Sequence, residues 1–333
     1  FFKQKTAYEI PKRDWSSDVC SSDLHTTCTL TARSTGAIRA RIMMGGVLIV
    51  DRVGFTTVQD AGRPGWAHLG VPHSGAADRT SFALANRLVG NPNGSAMFET
   101  SGGLRLHVLQ PVTLVLTGAD CEAFIDEQPL AACRVRHVQS GSIIHIRRLR
   151  GGLRSYLAFA GGITGRALLG SLSHDSLSRI VPVDLHEGCE LAIGDSPAQL
   201  HDVSTVTRLS LDVPLIATSL TTAQLMPGPH IDWCDTRVLT DRGLSWRVSA
   251  QSDRVGVRLS GNTLPRRRED EIPSLPLVRG AIQMPSPNEL IVMLADHPTT
   301  GGYPVVGVMG GDDVDRLAQT PPGATVTLRL RRG

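Results

Sequence analysis

The stretch Leu-Arg-Leu-His-Val-Leu-Gln-Pro-Val-Thr-Leu-Val-Leu (104–116) decides the class of fold. Leu104, Leu106 and Val108 alternate with Arg105 and His107, the two-residue period of a strand with one buried face. After Gln110-Pro111 comes a short β-branched run, Val112–Leu116. Runs of the same kind recur outward in both directions. They are Val47–Val50, Cys133–Val138, Ile143–Ile146, Ser155–Phe159, Trp246–Ala250, Leu290–Ala295, Tyr303–Val308 and Thr325–Leu330. The 34 glycines and 20 prolines punctuate them as turns. The expectation is a mainly β chain, mostly antiparallel, with a barrel or sandwich closing the sheet edges. One helix interrupts the pattern: Asp78 caps it, Phe82, Ala85, Leu88 and Val89 share a face, and Gly90 stops it. A second, short one is expected over Asp312–Gln319, with acids at its start.

Composition narrows the function. The 333 residues are 41% hydrophobic, which excludes a disordered chain, and the net charge of +3 predicts no strong field. No apolar run reaches membrane-spanning length. The six cysteines (20, 28, 121, 133, 189, 234) form no C-x-x-C pair, so a reducing cytoplasm is expected rather than a disulfide framework. All three lysines, at 3, 5 and 12, fall in the first 24 residues. That segment resembles translated sequencing-adapter DNA. Residues 1–42 are read as an extension foreign to the fold, ahead of Met43 and Met44. A Thr/Ser/Asp-rich stretch over 196–214 suggests a boundary, giving subdomains 43–204 and 205–333.

Several chemistries are excluded. The chain has no P-loop, G-x-S-x-G or H-E-x-x-H motif, and no lysine after Lys12 to carry biotin or form a Schiff base. The eleven histidines are dispersed, so no metal site is expected. Aromatic residues make up only 4%, and Arg266-Arg267-Arg268 is neutralised at once by Glu269, Asp270 and Glu271, which argues against nucleic acid.

Four segments carry polar residues among glycines. Gly54–Gly65 holds Gln59, Asp60 and Arg63; Arg63 suits a carboxylate, although Asp60 and Arg63 would equally pair with each other. Gly70–Asp78 sets Ser74 and Asp78 near a helix start, where helix capping explains Asp78 equally well. Glu99, before Gly102-Gly103, reads as a buried acid. In Ser252–Gly261, strand alternation puts Arg254 and Arg258 on one side, requiring acids or an anionic ligand nearby. Gly280–Pro285 contains Gln283 and precedes an apolar strand ending in Asp296, followed by Thr299, Thr300, Gly301, Gly302 and Tyr303. The strand would fix the acid and the glycines would offer amide donors, unless this is a plain hairpin turn.

In this order, TTVQDAGRPGW (56–66), GVPHSGAADR (70–79), ANRLVGNP (85–92), YLAFAGGI (156–163), SDRVGVRL (252–259), GAIQMP (280–285) and DHPTTGGYP (296–304) resemble the KipA/PxpC family. It is also known as allophanate hydrolase subunit 2 or the biotin-dependent carboxyltransferase domain. The resemblance runs from about Val47 to Leu328. It implies a cyclophilin-like β-barrel architecture in two subdomains. It also implies a KipI/PxpB-like partner that completes the active site. With a third, PxpA-like subunit, such proteins form an ATP-dependent 5-oxoprolinase that opens 5-oxoproline to L-glutamate. The alternatives it implies are a carboxyltransferase acting on urea or another amide, with biotin carried by a partner, and a non-enzymatic regulator binding a KipI-like kinase inhibitor. In the first reading, Arg63, Arg254 or Arg258 holds the substrate carboxylate. Gln59, Gln283, Thr300 and the Gly301 and Gly302 amides polarise the lactam carbonyl, and Asp60 or Asp296 serves proton transfer or orientation. Ser74, Asp78 and Tyr303 complete the substrate-binding candidates. ATP enters at the level of the complex. Two departures stand out: the stretch after Gly170-Ser171 lacks the family's glycine pair, and Ser-Pro-Asn-Glu (286–289) replaces an Asp-Gly turn.

Overall fold

A computed structural model describes residues 46–196, 219–240 and 243–331, all within the unit that spans 42–333. The 1–42 extension and the boundary at 204/205 lie outside the described residues. The protein is mainly β, built from two sheet systems. The first contains β1 (Val47–Arg52), β2 (Thr56–Gln59), β3 (Met97–Thr100), β4 (Leu104–Val108), β5 (Val112–Ile125), β6 (Gln128–Pro129), β7 (Arg136–Val138), β8 (Ile143–Phe159) and β9 (Glu190–Ala192). Its main path is β2-β3-β8-β4-β1-β9, and β5 pairs with β6, β7 and β8.

The second system is a closed barrel, β10-β17-β14-β15-β12-β11-β18. Its strands are β10 (Thr222–Pro227), β11 (Leu244–Val248), β12 (Gly256–Ser260), β14 (Ala281–Ser286), β15 (Glu289–Met293), β17 (Val305–Met309) and β18 (Thr325–Leu330). Parallel pairing of β10 with β18 closes it, which leaves no free edge. The short strands β13 (Leu275–Pro276) and β16 (Thr300–Gly301) pair beside it.

The expected helices are present as α1 (Arg79–Leu88) and, after the one-turn α2 (Arg237–Thr240), α3 (Gly311–Ala318). Helix α1 explains why adjacent residues of β5 and β8 are apolar together. Phe82, Ala85, Leu88 and Val89 pack with Val115, Tyr156 and Ala158 on one face of the sheet. Leu114, Leu116, Leu157 and Phe159 enter the main core with Leu104, Leu106 and Val108 on the other. Both faces of β5 and β8 are therefore covered there, so apolar residues need not alternate. The barrel has its own core around Trp246, Leu259, Ile282, Val292 and Leu328, and Ala77 from the loop before α1 packs into it. Among the described helices, none is long and apolar enough to cross a membrane.

Some expected strands change extent. Val112–Leu116 is the start of a 14-residue strand, and Ile143–Ile146 and Ser155–Phe159 are two ends of one 17-residue strand. The intervening glycines mark register shifts at Gly118 and Asp120 in the β5–β8 ladder rather than chain reversals. The Ser-Pro-Asn-Glu change amounts to a tight turn, since Ser286 pairs with Glu289 across it.

Candidate active site

The glycine-rich loop after β2 folds back on residues 171–178. Asp60 accepts hydrogen bonds from the Gly62 amide (2.7 Å), the Leu172 amide (2.6 Å), Ser171 Oγ (2.7 Å) and Ser173 Oγ (2.5 Å). Four donors hold this carboxylate, three of them on Oδ1 and the Leu172 amide on Oδ2, which makes it a brace. Arg63 is 1% exposed. It donates to Ser74 Oγ (2.9 Å) and to the Ser173 carbonyl. The simple Asp60–Arg63 pair is replaced by separate partners for each. Burial lowers the proton affinity of Arg63 against the opposing pull of Asp175, Asp60 and Asp296. Ser74 sits at φ 56°, a left-handed conformation unusual outside glycine. It is held there by Arg63 on one side and by its own donation to Asp175 Oδ2 (2.5 Å) on the other. Burial pushes the Asp175 carboxyl up, but Ser178, Ser74 and Arg63 together hold it below its ordinary range.

The second cluster joins the two sheet systems. Arg254 forks onto Asp296, Nε to Oδ2 at 2.9 Å and Nη2 to Oδ1 at 3.0 Å. Nη1 reaches Glu99 on β3, and Nη2 also donates to the Gly75 carbonyl (2.6 Å). Asp296 is fully buried and accepts from the Ser176 amide (3.0 Å) and hydroxyl (2.7 Å). Glu99 accepts from the Ala77 amide and Tyr156 Oη, both at 2.9 Å, and pairs with Arg154 at 3.4 Å. Burial alone would raise the Glu99 carboxyl; Arg254 and then Arg154 outweigh it and hold it below the usual range. Burial, then Glu99 and Asp78, push the Tyr156 phenol well up.

The other expected residues divide. Asp78 is the α1 cap: it accepts from the Ser81 amide (2.9 Å) and hydroxyl (2.6 Å) and from Gln319 Nε2 (2.8 Å). Arg258 does not share a face with Arg254; it pairs with Glu289 at 2.8 Å on the barrel wall. The alternation fails because Arg254 precedes β12, in a turn where Asp253 Oδ1 accepts from the amides of Val255 and Gly256. Gln59 is fully buried, and its amide protons are already given to Thr57 Oγ1 (3.0 Å) and the His174 carbonyl (3.1 Å). Its unpartnered atom is the Oε1 acceptor, so it suits an N–H group rather than a carbonyl. Gln283 Nε2 lies 3.4 Å from the Tyr303 carbonyl and against Gly301, where a Cβ would approach it to 2.4 Å. Thr300 and Gly301 form β16 rather than an open loop, and Thr300, Gly302 and Tyr303 are exposed.

Contacts distant in sequence supply what local reading missed: Arg154, Tyr156, the serines of 171–178, Asp175, Arg279, Asp315 and Gln319. One local signal was present, the repeated serines of Ser-Leu-Ser-His-Asp-Ser-Leu-Ser (171–178) around Asp175.

A family profile described as carboxyltransferase domain, subdomain A and B, matches residues 69–330. The chain belongs to the carboxyltransferase domain family. It is 34% identical over 287 residues to the C subunit of 5-oxoprolinase from Escherichia coli (strain K12), covering 84% of this chain and 90% of that protein. It is 29% identical over 298 residues to urea amidolyase of Saccharomyces cerevisiae, covering 81% of this chain but 16% of that protein. Among solved structures, TTHA0988 superposes with a TM-score of 0.73 at 29% identity, over 86% of this chain and 56% of that one. The carboxyltransferase-domain match begins after Asp60 and Arg63 but contains Ser74, Asp78, Arg254, Gln283 and Asp296. It also contains the Arg254 clamp between Glu99 and Asp296.

Proposed function

We propose that this chain is the C subunit of an ATP-dependent 5-oxoprolinase, opening 5-oxoproline to L-glutamate in the cytoplasm with KipI/PxpB-like and PxpA-like partners. The observation that carries this reading is the match to 90% of a 5-oxoprolinase C subunit. Ring opening adds water to the lactam carbonyl carbon, breaks the C–N bond and delivers a proton to the departing nitrogen. Charge gathers on the carbonyl oxygen, so the site needs donors fixed in advance. Thr300 Oγ1, which has no hydrogen-bond partner among the described residues, and Gln283 Nε2, with one long contact, are the candidates on this chain. Gln59 Oε1 suits the lactam N–H. Arg254, Glu99, Asp296 and Asp60 are positioning residues, since each is consumed by protein partners. ATP belongs to the assembly, because this chain has no P-loop and no lysine after Lys12.

A second reading is favoured by the urea amidolyase match: transfer of a carboxyl group from biotin to urea or a similar amide. Its biotinyl-lysine would have to sit on another polypeptide, given the lysine distribution. Co-expression with both partner subunits, followed by an assay of ATP-dependent glutamate release, separates the two. Glutamate release supports the first. Its absence with all subunits present, alongside carboxylation of urea from a biotinylated carrier, overturns it.

A further inference from the structure

The three arginines expected to hold a substrate carboxylate are committed elsewhere: Arg63 to Ser74 and Ser173, Arg254 to Glu99 and Asp296, Arg258 to Glu289. Arg79 differs from them. Its backbone amide is held by Asp315 Oδ1 at 3.0 Å, but its guanidinium has no acceptor among the described residues. That side chain lines a cleft of about 400 Å³, together with His73 and Asn93. Ala61, Pro64, Ala76 and Phe82 supply apolar walls.

The charges around the cleft favour an anion. Asp60 also lines it, but its charge is met by four donors: the Gly62 amide, Ser171 and Ser173 on Oδ1, and the Leu172 amide on Oδ2. Asp315 is taken by Arg279 (2.6 Å), by the Arg79 and Thr80 amides and by the Thr80 hydroxyl. Asp78 turns to Ser81 and Gln319. Two guanidiniums, Arg79 and Arg279, therefore stand near one acid. Arg79 is an exposed residue at the mouth of this cleft; partial loss of water and then the charge of Arg279 lower its proton affinity. His297 is only 8% exposed, and its Nδ1 is 2.8 Å from the Pro298 carbonyl. A carbonyl only accepts, so Nδ1 carries the proton. Burial, then His73, Arg279 and Arg79, lower the proton affinity of this ring.

We propose that this cleft is a carboxylate subsite for a small ring-bearing acid. Arg79 forks onto the carboxylate, His73 and Asn93 form the polar wall, and Pro64, Ala76 and Phe82 face the ring. The identity of the acid as 5-oxoproline rests on the function proposed above; the anion preference of the cleft does not.

The test compares wild type, Arg79→Gln and Arg79→Lys as full chains, with Arg150→Gln as a surface control. Calorimetric titration reads the affinity for 5-oxoproline and for 2-pyrrolidinone, the same lactam without its carboxylate. Wild type is expected to prefer 5-oxoproline roughly tenfold to a hundredfold, the range for a hydrogen bond to a charged group. Arg79→Gln is expected to lose this preference, Arg79→Lys to keep part of it, and Arg150→Gln all of it. The Arg79 guanidinium has no protein partner to lose, and an unchanged circular dichroism melt would verify folding. In the assembled complex, Arg79→Gln is expected to raise KM by the same factor with kcat little changed. Preference retained in Arg79→Gln, or no preference in wild type, overturns the subsite. If the wild-type assembly releases no glutamate, the 5-oxoprolinase reading falls, and the titrations still decide the subsite.

Discussion

Arg254 and Glu99 show how one ion pair is made worth burying. An uncompensated carboxylate inside a protein is costly, and breaking a buried pair costs about 3–5 kcal/mol. Here Glu99 has Arg254, Arg154, Tyr156 and the Ala77 amide around it, so its charge is met from several directions. Its carboxyl is held below the ordinary glutamate value of 4.5 because the arginines outweigh burial. A depressed carboxyl contributes stability that is present above its unfolded value and lost as pH falls through the folded one. Glu99→Gln is therefore expected to be less stable than wild type at pH 7, with the gap closing as pH falls below about 4.5. Urea unfolding of both proteins from pH 7 down to the onset of acid unfolding measures it. A gap that stays constant would show that Glu99 is not the ionised partner described here. The sequence marked Glu99 as a buried acid and Arg254 as needing counter-charges, but it paired neither with the other. Their separation of 155 residues makes the contact invisible to local spacing.

Helix α1 was legible because its signals are local: the Asp78 cap, the Phe82–Ala85–Leu88–Val89 face and the Gly90 stop lie within one segment. The long strands β5 and β8 were legible only in pieces, because glycines that end a strand in most contexts are bulges here. Strand β2 was missing from the expected strands for a different reason. Thr56, Thr57 and Gln59 look polar, yet they pair with β3 as strand β2. Least legible was the second cap on α1, supplied by the other sheet system. Asp315 on α3 accepts from the Arg79 amide and the Thr80 amide, both at 3.0 Å, and from the Thr80 hydroxyl at 2.7 Å. Loss of such a cap costs about 0.5–2 kcal/mol. Asp315→Ala is expected to lower stability by at least that range and to speed amide exchange at the first turn of α1, while amides in β11 and β12 keep their protection. Hydrogen exchange read by mass spectrometry distinguishes this from a general loosening, in which all would speed up together.

At the scale of the molecule, the first sheet and the barrel are fastened by polar groups that are satisfied only when the two are docked. Arg254 reaches across to Glu99, Asp315 to the start of α1, and Arg279 to the Ala77 carbonyl at 2.7 Å. Gln319, at the end of α3, makes the tightest stitch. Its Oε1 accepts from the Leu153 and Arg154 amides (3.0 and 2.9 Å), and its Nε2 donates to Asp78 Oδ2 and the Arg154 carbonyl (both 2.8 Å). Every polar atom of that carboxamide is used, in a residue 3% exposed. If either sheet system unfolded alone, the other would be left with stranded donors and acceptors, so the two should melt together. Wild type is expected to show one calorimetric transition. Gln319→Ala removes four bonds and leaves the buried Arg154 amide and the half-buried Leu153 amide without acceptors, at about 1–3 kcal/mol for each unsatisfied group. A fall in Tm of roughly 3–10 °C is expected for a chain of this size, with the transition broadening as the sheet systems uncouple. A Tm within a degree of wild type would mean that water replaces the carboxamide at the seam, and that apolar packing such as Ala77 in the barrel core holds the two halves together.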